Sequence, residues 1–303
     1  ADLLAHGLIR ASFVPPQPIQ ELRDLTRTRK QLTREIVQHT QRIQAVLEEA
    51  NIKLSSVITD ILGMSGRRIL QAIVAGETDP MKLAELGGPR LAATKSQLTD
   101  ALHGRVRPHH QFLIGQHLKT IGQLEETITA FDERIEAALE PFRDAIERLK
   151  EVPGLSDTSA QILLAEIGTD MRQFPTAGHL LSWAGLIPRL NESAGKRRST
   201  RVRKGAPWLK PVLVQGAWAA SRKKNSYFEA QFLRLKARRG PKKAAVAVAA
   251  SILTTAYHML ADGTCYQDLG ADHFARRNPV RTVAKLANRI RNLGFQVEIR
   301  PAA

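Results

Sequence analysis

Apolar residues return at alternating steps of three and four through two long stretches of the chain. Leu22, Leu25, Leu32, Ile36, Ile43, Val46 and Ala50 trace the first, with Arg29 and His39 at two polar positions of the same seam. Ile114, His117, Ile121, Leu124, Ile128, Phe131, Ile135, Ala138, Phe142, Ala145 and Leu149 trace the second. Such spacing holds one stripe of a helix against a partner helix. Between the stretches, residues 51–104 are punctuated by Gly63, Gly66, Gly76, Asp79-Pro80 and Gly87-Gly88, breakers at the spacing of short helices. The pattern predicts a mainly α protein whose residues 17–150 form a long antiparallel coiled-coil arm with a small helical tip. Arg29, His39 and His117 are read as residues that set register, not as metal ligands, because no paired ligands at site spacing accompany them.

Ahead of the arm, Ala1-Asp2-Leu3-Leu4-Ala5-His6-Gly7 reads as the end of a helix, and an extended piece follows it as far as Pro15-Pro16. Behind the arm, Val152-Pro153-Gly154-Leu155-Ser156 introduces a helix over 157–167 that Gly168 ends, and a second short helix covers 177–183. A glycine turn leading into a helix exposes backbone N–H groups on which phosphate can dock, so Gly154 is a candidate phosphate contact. The arrangement resembles a helix-hairpin-helix element, which grips the DNA backbone without reading sequence. A plain packing turn accounts for the same residues equally well. The run from Ala244 to Ala261 is mostly alanine, broken by Thr254, Thr255 and His258, and reads as a buried helix rather than a membrane span. A basic helix is expected near Pro279 to Leu293, and a short strand over Phe295 to Ile299.

Charge sharpens this outline. Between Lys196 and Lys243 there are sixteen Lys and Arg against the single acid Glu229, a net +15 of the chain's formal +16. A block of one sign concentrates a polyanion and releases its counterions on binding, so nucleic acid is the expected partner. A disordered basic tail would carry the same charge. Here Trp208, Leu209, Val212, Leu213, Val214, Ala217 and Trp218 recur at helical spacing inside the block, giving it an apolar face to bury. The lone Cys265 allows no internal disulfide and supplies no thiolate cluster for zinc. With no leader legible, a cytoplasmic location is expected, and no membrane. The first residue is not Met, so an upstream portion is expected to be missing.

The chemistry centres on Asn191-Glu192-Ser193-Ala194-Gly195-Lys196-Arg197-Arg198, a small-residue turn that runs straight into the basic tract. Serine is a poor nucleophile alone and needs a base or metal, a close approach and electrophilic help. Ala194 and Gly195 admit a bulky phosphodiester, while Lys196, Arg197, Arg198, Arg201, Arg203 and Lys204 can neutralise it. A serine in such a loop either hydrogen-bonds the phosphate or attacks it, and spacing alone leaves both open. No Ser-His-Asp constellation is legible, and Gly-x-x-x-x-Gly-Lys-Ser/Thr occurs nowhere.

The run Gly185-Leu186-Ile187-Pro188-Arg189, then Ser193-Ala194-Gly195-Lys196, then Arg203-Lys204-Gly205-Ala206-Pro207-Trp208-Leu209 resembles the C-terminal domain of the DEDD-type insertion-sequence transposases, relatives of the Piv-type DNA invertases. Val152-Pro153-Gly154-Leu155, Gly63-Met64-Ser65-Gly66-Arg67, Gly76-Glu77-Thr78-Asp79-Pro80 and Ala1-Asp2-Leu3-Leu4-Ala5-His6-Gly7 extend the resemblance over nearly the whole chain. It implies a two-part active site, in which a RuvC-like domain holds Mg²⁺ through four acids and a second domain supplies a serine that joins covalently to DNA. By motif that serine is Ser193. It also implies DNA and a structured guide RNA as partners, and a homo-oligomer assembled through the coiled coil. The family's metal-binding acids lie upstream of Ala-Asp-Leu-Leu, so the Mg²⁺ ligands are expected to be absent from this chain and metal ligands within it number none. Residues 1–16 then read as a remnant of the RuvC-like domain and 151–303 as the transposase domain. The competing expectations are a non-catalytic DNA- or RNA-binding, dimerising remnant and, last, a purely structural coiled-coil protein, which leaves the basic block unexplained.

Overall fold

The computed structural model describes residues 14–89, 91–189, 191–199 and 201–300. The helix end expected over residues 1–7 lies outside them. The fold is mainly α and divides into two compact units, Asp24–Ala137 and a second made of Ala1–Arg23 with Ala138–Ala303.

Within Asp24–Ala137, the long helices α1 (Gln17–Glu49) and α6 (Pro108–Leu139) run antiparallel. Arg29 Nη2 reaches Asp132 Oδ2 at 3.2 Å, and further along His39 Nδ1 lies 3.0 Å from His117 Nδ1. The apolar seam is closed at one end, where Ile43, Val46, Ile114 and Ile121 are buried. Along its middle, Leu25, Leu32, Ile36, Leu124, Ile128 and Phe131 are only half-buried. Between the long helices lie α2 (Leu54–Val57), α3 (Met64–Val74), α4 (Pro80–Glu85) and α5 (Lys95–Ala101). Local chemistry starts two of these. Asp79 accepts from the Met81 N–H with Pro80 in the first turn, and Thr94 forms a reciprocal capping box with Gln97. Ile52, Leu54, Ile69, Leu70, Ile73, Leu83 and Leu98 join Ile43, Leu47 and Ile114 in one core. Gly66 permits that packing, since a Cβ there would lie 2.2 Å from Ile61 O.

The second unit is built on α7 (Arg143–Lys150), α8 (Asp157–Ile167), α9 (Ala177–Trp183), α10 (Leu209–Ala220), α11 (Tyr227–Arg239) and α12 (Pro241–Asp262). By length and composition α12 could cross a membrane. Here it forms the middle of the unit: Ala244, Ala245, Val248, Ala249, Ile252, Leu253 and Ala256 are buried, and α9, α10 and α11 pack against it. Its alanines let those helices approach closely. Ser156 caps α8, with Ser159 closing the box, and Gly168 ends it at φ 69°. Beyond α12 come α13 (His273–Arg276) and α14 (Pro279–Arg291). Residues 295–299 form no strand. Their alternation finds no neighbouring strand among the described residues, and an isolated extended segment has no ladder to join.

The His39–His117 contact gives the helix pair a pH dependence. Burial, then the His39 ring and the Arg42 charge, hold His117 below the ordinary histidine value of 6.5. A depressed pKa means that the unfolded chain takes up the proton first, so stability is full above about pH 6.5 and falls as the pH drops toward the folded value. Thermal melts between pH 8 and pH 5 are therefore expected to show a smaller loss for His117→Gln than for the native protein. An equal loss in both would remove His117 from the explanation.

Candidate nucleic-acid interface

The Ser193 segment is an antiparallel hairpin. β1 (Asn191–Ser193) pairs with β2 (Lys196–Ser199), and Ser193 stands opposite Lys196. The two-residue loop is Ala194-Gly195, with φ of 50° and 70°. Positive φ at both positions is the signature of a type I′ turn, whose twist matches that of the flanking strands. Ser193 is thus the last strand residue before the tip, and its side chain is exposed. Pairing puts Ser193 and Lys196 on one face, and the register slips at Arg198, between the pairs Glu192 with Arg197 and Asn191 with Ser199.

The stalk beneath the hairpin is held by backbone. Pro188 bridges to Val202, and the Arg189 N–H donates to Arg201 O at 3.0 Å. Lower still, two glycines cross: a Cβ on Gly185 would lie 2.5 Å from Gly205 Cα, and one on Gly205 would lie 2.2 Å from Ala184 O. Both glycines have positive φ, 71° and 62°. Side chains at this crossing would force the strands of the stalk apart. Lys210, at the start of α10, donates from Nζ to Arg203 O at 2.6 Å, and burial pushes its ammonium below the ordinary value of 10.5.

The excursion 186–204 therefore brings together most of the residues expected to act on nucleic acid. Lys196, Arg198, Arg201, Arg203 and Lys204 are exposed, Arg197 lies on β2, and Gly195 has open space where a side chain would be. Gly154 lies outside this excursion. At φ 91° it packs face to face on Gly216 of α10, where an added Cβ would lie 2.1 Å from Gly216 O. His179 is exposed, with Nδ1 2.8 Å from Thr176 Oγ1, the cap of its own helix. The crossing glycines and Lys210 were not legible as parts of the site, because nothing in a single glycine or lysine signals which backbone it will meet.

Metal ligands are a separate question. Glu192 is the one carboxylate in the sequence from Gly185 to Lys210. Among the described residues no group of three or more His, Cys, Asp or Glu is placed to hold an ion. The residues around Ser193 therefore do not form a Mg²⁺ site.

Residues 146–233, which contain the hairpin, its stalk and the helices that support it, match the transposase IS116/IS110/IS902 family. The match is confined to this segment of the chain. It is similar to a protein of Pseudomonas aeruginosa named probable family 20 transposase, 32% identical over 126 residues, or 40% of this chain and 37% of that one. It is also similar to the insertion element IS110 uncharacterized 43.6 kDa protein of Streptomyces coelicolor, 32% identical over 126 residues, or 39% and 29% of the two chains. The matched region thus spans about a third of the length of these curated relatives.

The crossing separates two kinds of glycine. Gly205→Ala combines a left-handed φ with a backbone clash and is expected to lower stability by about 3 kcal/mol in urea melts. Gly195→Ala meets no neighbour and is expected to cost about 1 kcal/mol, from conformation alone. Equal costs would show that the crossing does not hold the stalk.

Proposed function

We propose that this chain is the DNA-handling and serine-bearing part of an insertion-sequence transposase, with Ser193 the nucleophile. The observation that carries the reading is the exposed Ser193 at the tip of a pinned hairpin, inside the family-matched segment and among several cations with Glu192 the one acid nearby in sequence. In the step proposed, Ser193 Oγ bonds to phosphorus as one deoxyribose oxygen–phosphorus bond breaks. The serine proton is lost, and the released DNA hydroxyl takes one up. The number of phosphate ester bonds is unchanged, so energy stored in the adduct can rejoin strands. Lys196 and Arg198 are suited to neutralise charge that builds on the phosphate, and Arg201, Arg203 and Lys204 to hold the backbone on either side.

The carboxylates that would hold Mg²⁺ are proposed to come from another segment or protomer, and a structured guide RNA to choose the DNA sites. Self-association through the antiparallel helices is supported by the half-buried middle of their seam, a stripe a coiled-coil partner would cover. The alternative, a non-catalytic DNA- or RNA-binding remnant, draws on the same cations and on the lack of an acid cluster beside Ser193.

Two measurements test this. Binding to duplex DNA is expected to weaken log-linearly with salt, with a slope near −5 if about six cations meet phosphate; a flat response would remove the basic segment from the interface. Incubation with Mg²⁺, guide RNA and labelled DNA junctions, alone and together with a full-length relative, is expected to yield a denaturant-resistant adduct when the relative is present. Ser193→Ala should abolish the adduct and leave binding within about twofold. Intact binding with no adduct in any mixture would favour the non-catalytic reading.

A further inference from the structure

A cavity of about 320 Å³ opens beside α12, walled by Tyr227 and Phe228 of α11 and by the loop 263–270. Its volume is at the lower end of those that hold small ligands, about 300–1,000 Å³. Phe228 and Tyr266 both line it, their rings stacked nearly parallel with centroids 6.1 Å apart; Phe228 is buried, so Tyr266 is the more accessible ring of the pair. The helix α12 contributes the hydroxyls of Ser251, Thr254 and Thr255, with His258 further along.

The polar groups are arranged to meet a neutral ligand with a mixed edge. Gln231 Nε2 donates to Ser251 Oγ at 2.8 Å, which leaves the Ser251 proton for a ligand acceptor. Thr254 Oγ1 spends its own proton on Ala250 O at 3.0 Å and keeps lone pairs for a donor. Gln231 is nine-tenths buried, and its Oε1 has no hydrogen-bond partner among the described residues. No Lys or Arg lines the space, so it is not built for phosphate. Asp268, beside the lining residues, is already employed, since it accepts from the N–H groups of Tyr227 and Gly270 and from the Tyr266 hydroxyl. Burial, then the Asp268 charge, keeps the Tyr266 phenol protonated well above its ordinary range. The loop is tied down from the other side, where the Tyr266 N–H donates to Glu151 Oε2 at 2.8 Å.

A half-buried tyrosine ring and several hydroxyl donors and acceptors lining one cavity suit the flat face and polar edge of a nucleobase. Arg222, Lys223 and Lys224 lie just ahead of Tyr227 in sequence and are exposed, and Lys223 is close enough to Asp268 to draw its pKa down. They supply the charge outside the cavity that the strand's phosphates require. We infer that this cavity takes one unpaired base of a bound nucleic-acid strand, with its backbone passing over Lys223 and Lys224. The inference deepens the nucleic-acid reading of the preceding subsection and rests on it.

Cys265, the chain's single cysteine, is exposed and lines the cavity, so it reports occupancy in the native protein. The rate of Cys265 alkylation by a maleimide should be measured with short oligo-dA, with oligo-rA, and with an abasic strand of the same length, each at saturation. Base-bearing strands are expected to slow alkylation at least threefold and the abasic strand not at all, with the better of the two sugars showing which nucleic acid is preferred. The abasic strand is also expected to bind about tenfold more weakly. Thr255→Val, which removes a hydroxyl and keeps the shape, should restore much of the alkylation rate without changing duplex affinity. Equal protection by the abasic strand, or none by any strand, overturns the inference. Salt-sensitive duplex binding by the same sample keeps the two claims apart: its presence with no base-dependent protection sinks only the cavity, and its absence sinks the nucleic-acid reading itself.

Discussion

The excursion that carries Ser193 depends on two backbones meeting with nothing between them. Gly185 and Gly205 stand at the two ends of 186–204, and each sits where the other's Cβ would collide with main chain. Apart from buried Leu186, the residues of this segment whose burial is described are exposed or half-buried. Its order must come from backbone pairing and from the way its ends are clamped. The crossing sets the ends, Pro188 with Val202 and Arg189 with Arg201 continue the ladder, and the type I′ turn at Ala194-Gly195 closes it. Ser193 is consequently held at a defined position while its side chain remains exposed.

The clamp in turn rests on the alanine-rich α12. Small side chains along Pro241–Asp262 let α9, α10 and α11 draw in around it, and α9 and α10 are the helices from which the excursion leaves and to which it returns. Gly154 on Gly216 repeats the same device at the turn ahead of α8. A rigid, apolar support beneath a polar, cationic loop is the division of labour expected where function sits on loops and a scaffold positions them. The price in sequence terms is a set of glycines and alanines whose importance is invisible without their neighbours.

Much of the helical framework was legible from the chain. The three-four spacing of Ile43, Val46, Ile114 and Ile121 marks helices that bury those residues, and Ser156 leads into the helix expected over 157–167, whereas the caps at Asp79 and Thr94 emerge only from the structure. The basic block contains the helix its apolar residues indicated, with Leu209, Val212, Leu213 and Ala217 buried on α10, but Trp218, expected on the same face, is exposed and Trp208 and Val214 are only half-buried. The hairpin was not legible as strands. Asn191 to Ser199 has no apolar alternation to reveal a period of two, and its turn uses Ala194 where Asn or Asp is usual. Phe295 to Ile299 shows the opposite failure, an alternating run that has no neighbouring strand among the described residues. Gly154 carried two readings in sequence, and its contact with Gly216 gives it a packing role that spacing could not reveal. The cavity beside α12 draws on residues from 227 to 269 across three elements, and only their assembly brings Ser251, Thr255 and Tyr266 to one space.

The central claim is that the tip of the hairpin meets DNA. Ser193→p-benzoylphenylalanine places a photoreactive group at that tip, and the same group at exposed Met81 serves as a control on the other unit. Irradiation with bound duplex is expected to crosslink DNA from position 193, with a yield that falls as salt is raised, and to give little from position 81. Strong crosslinking from Met81 with none from position 193, while binding stays intact, would contradict the claim.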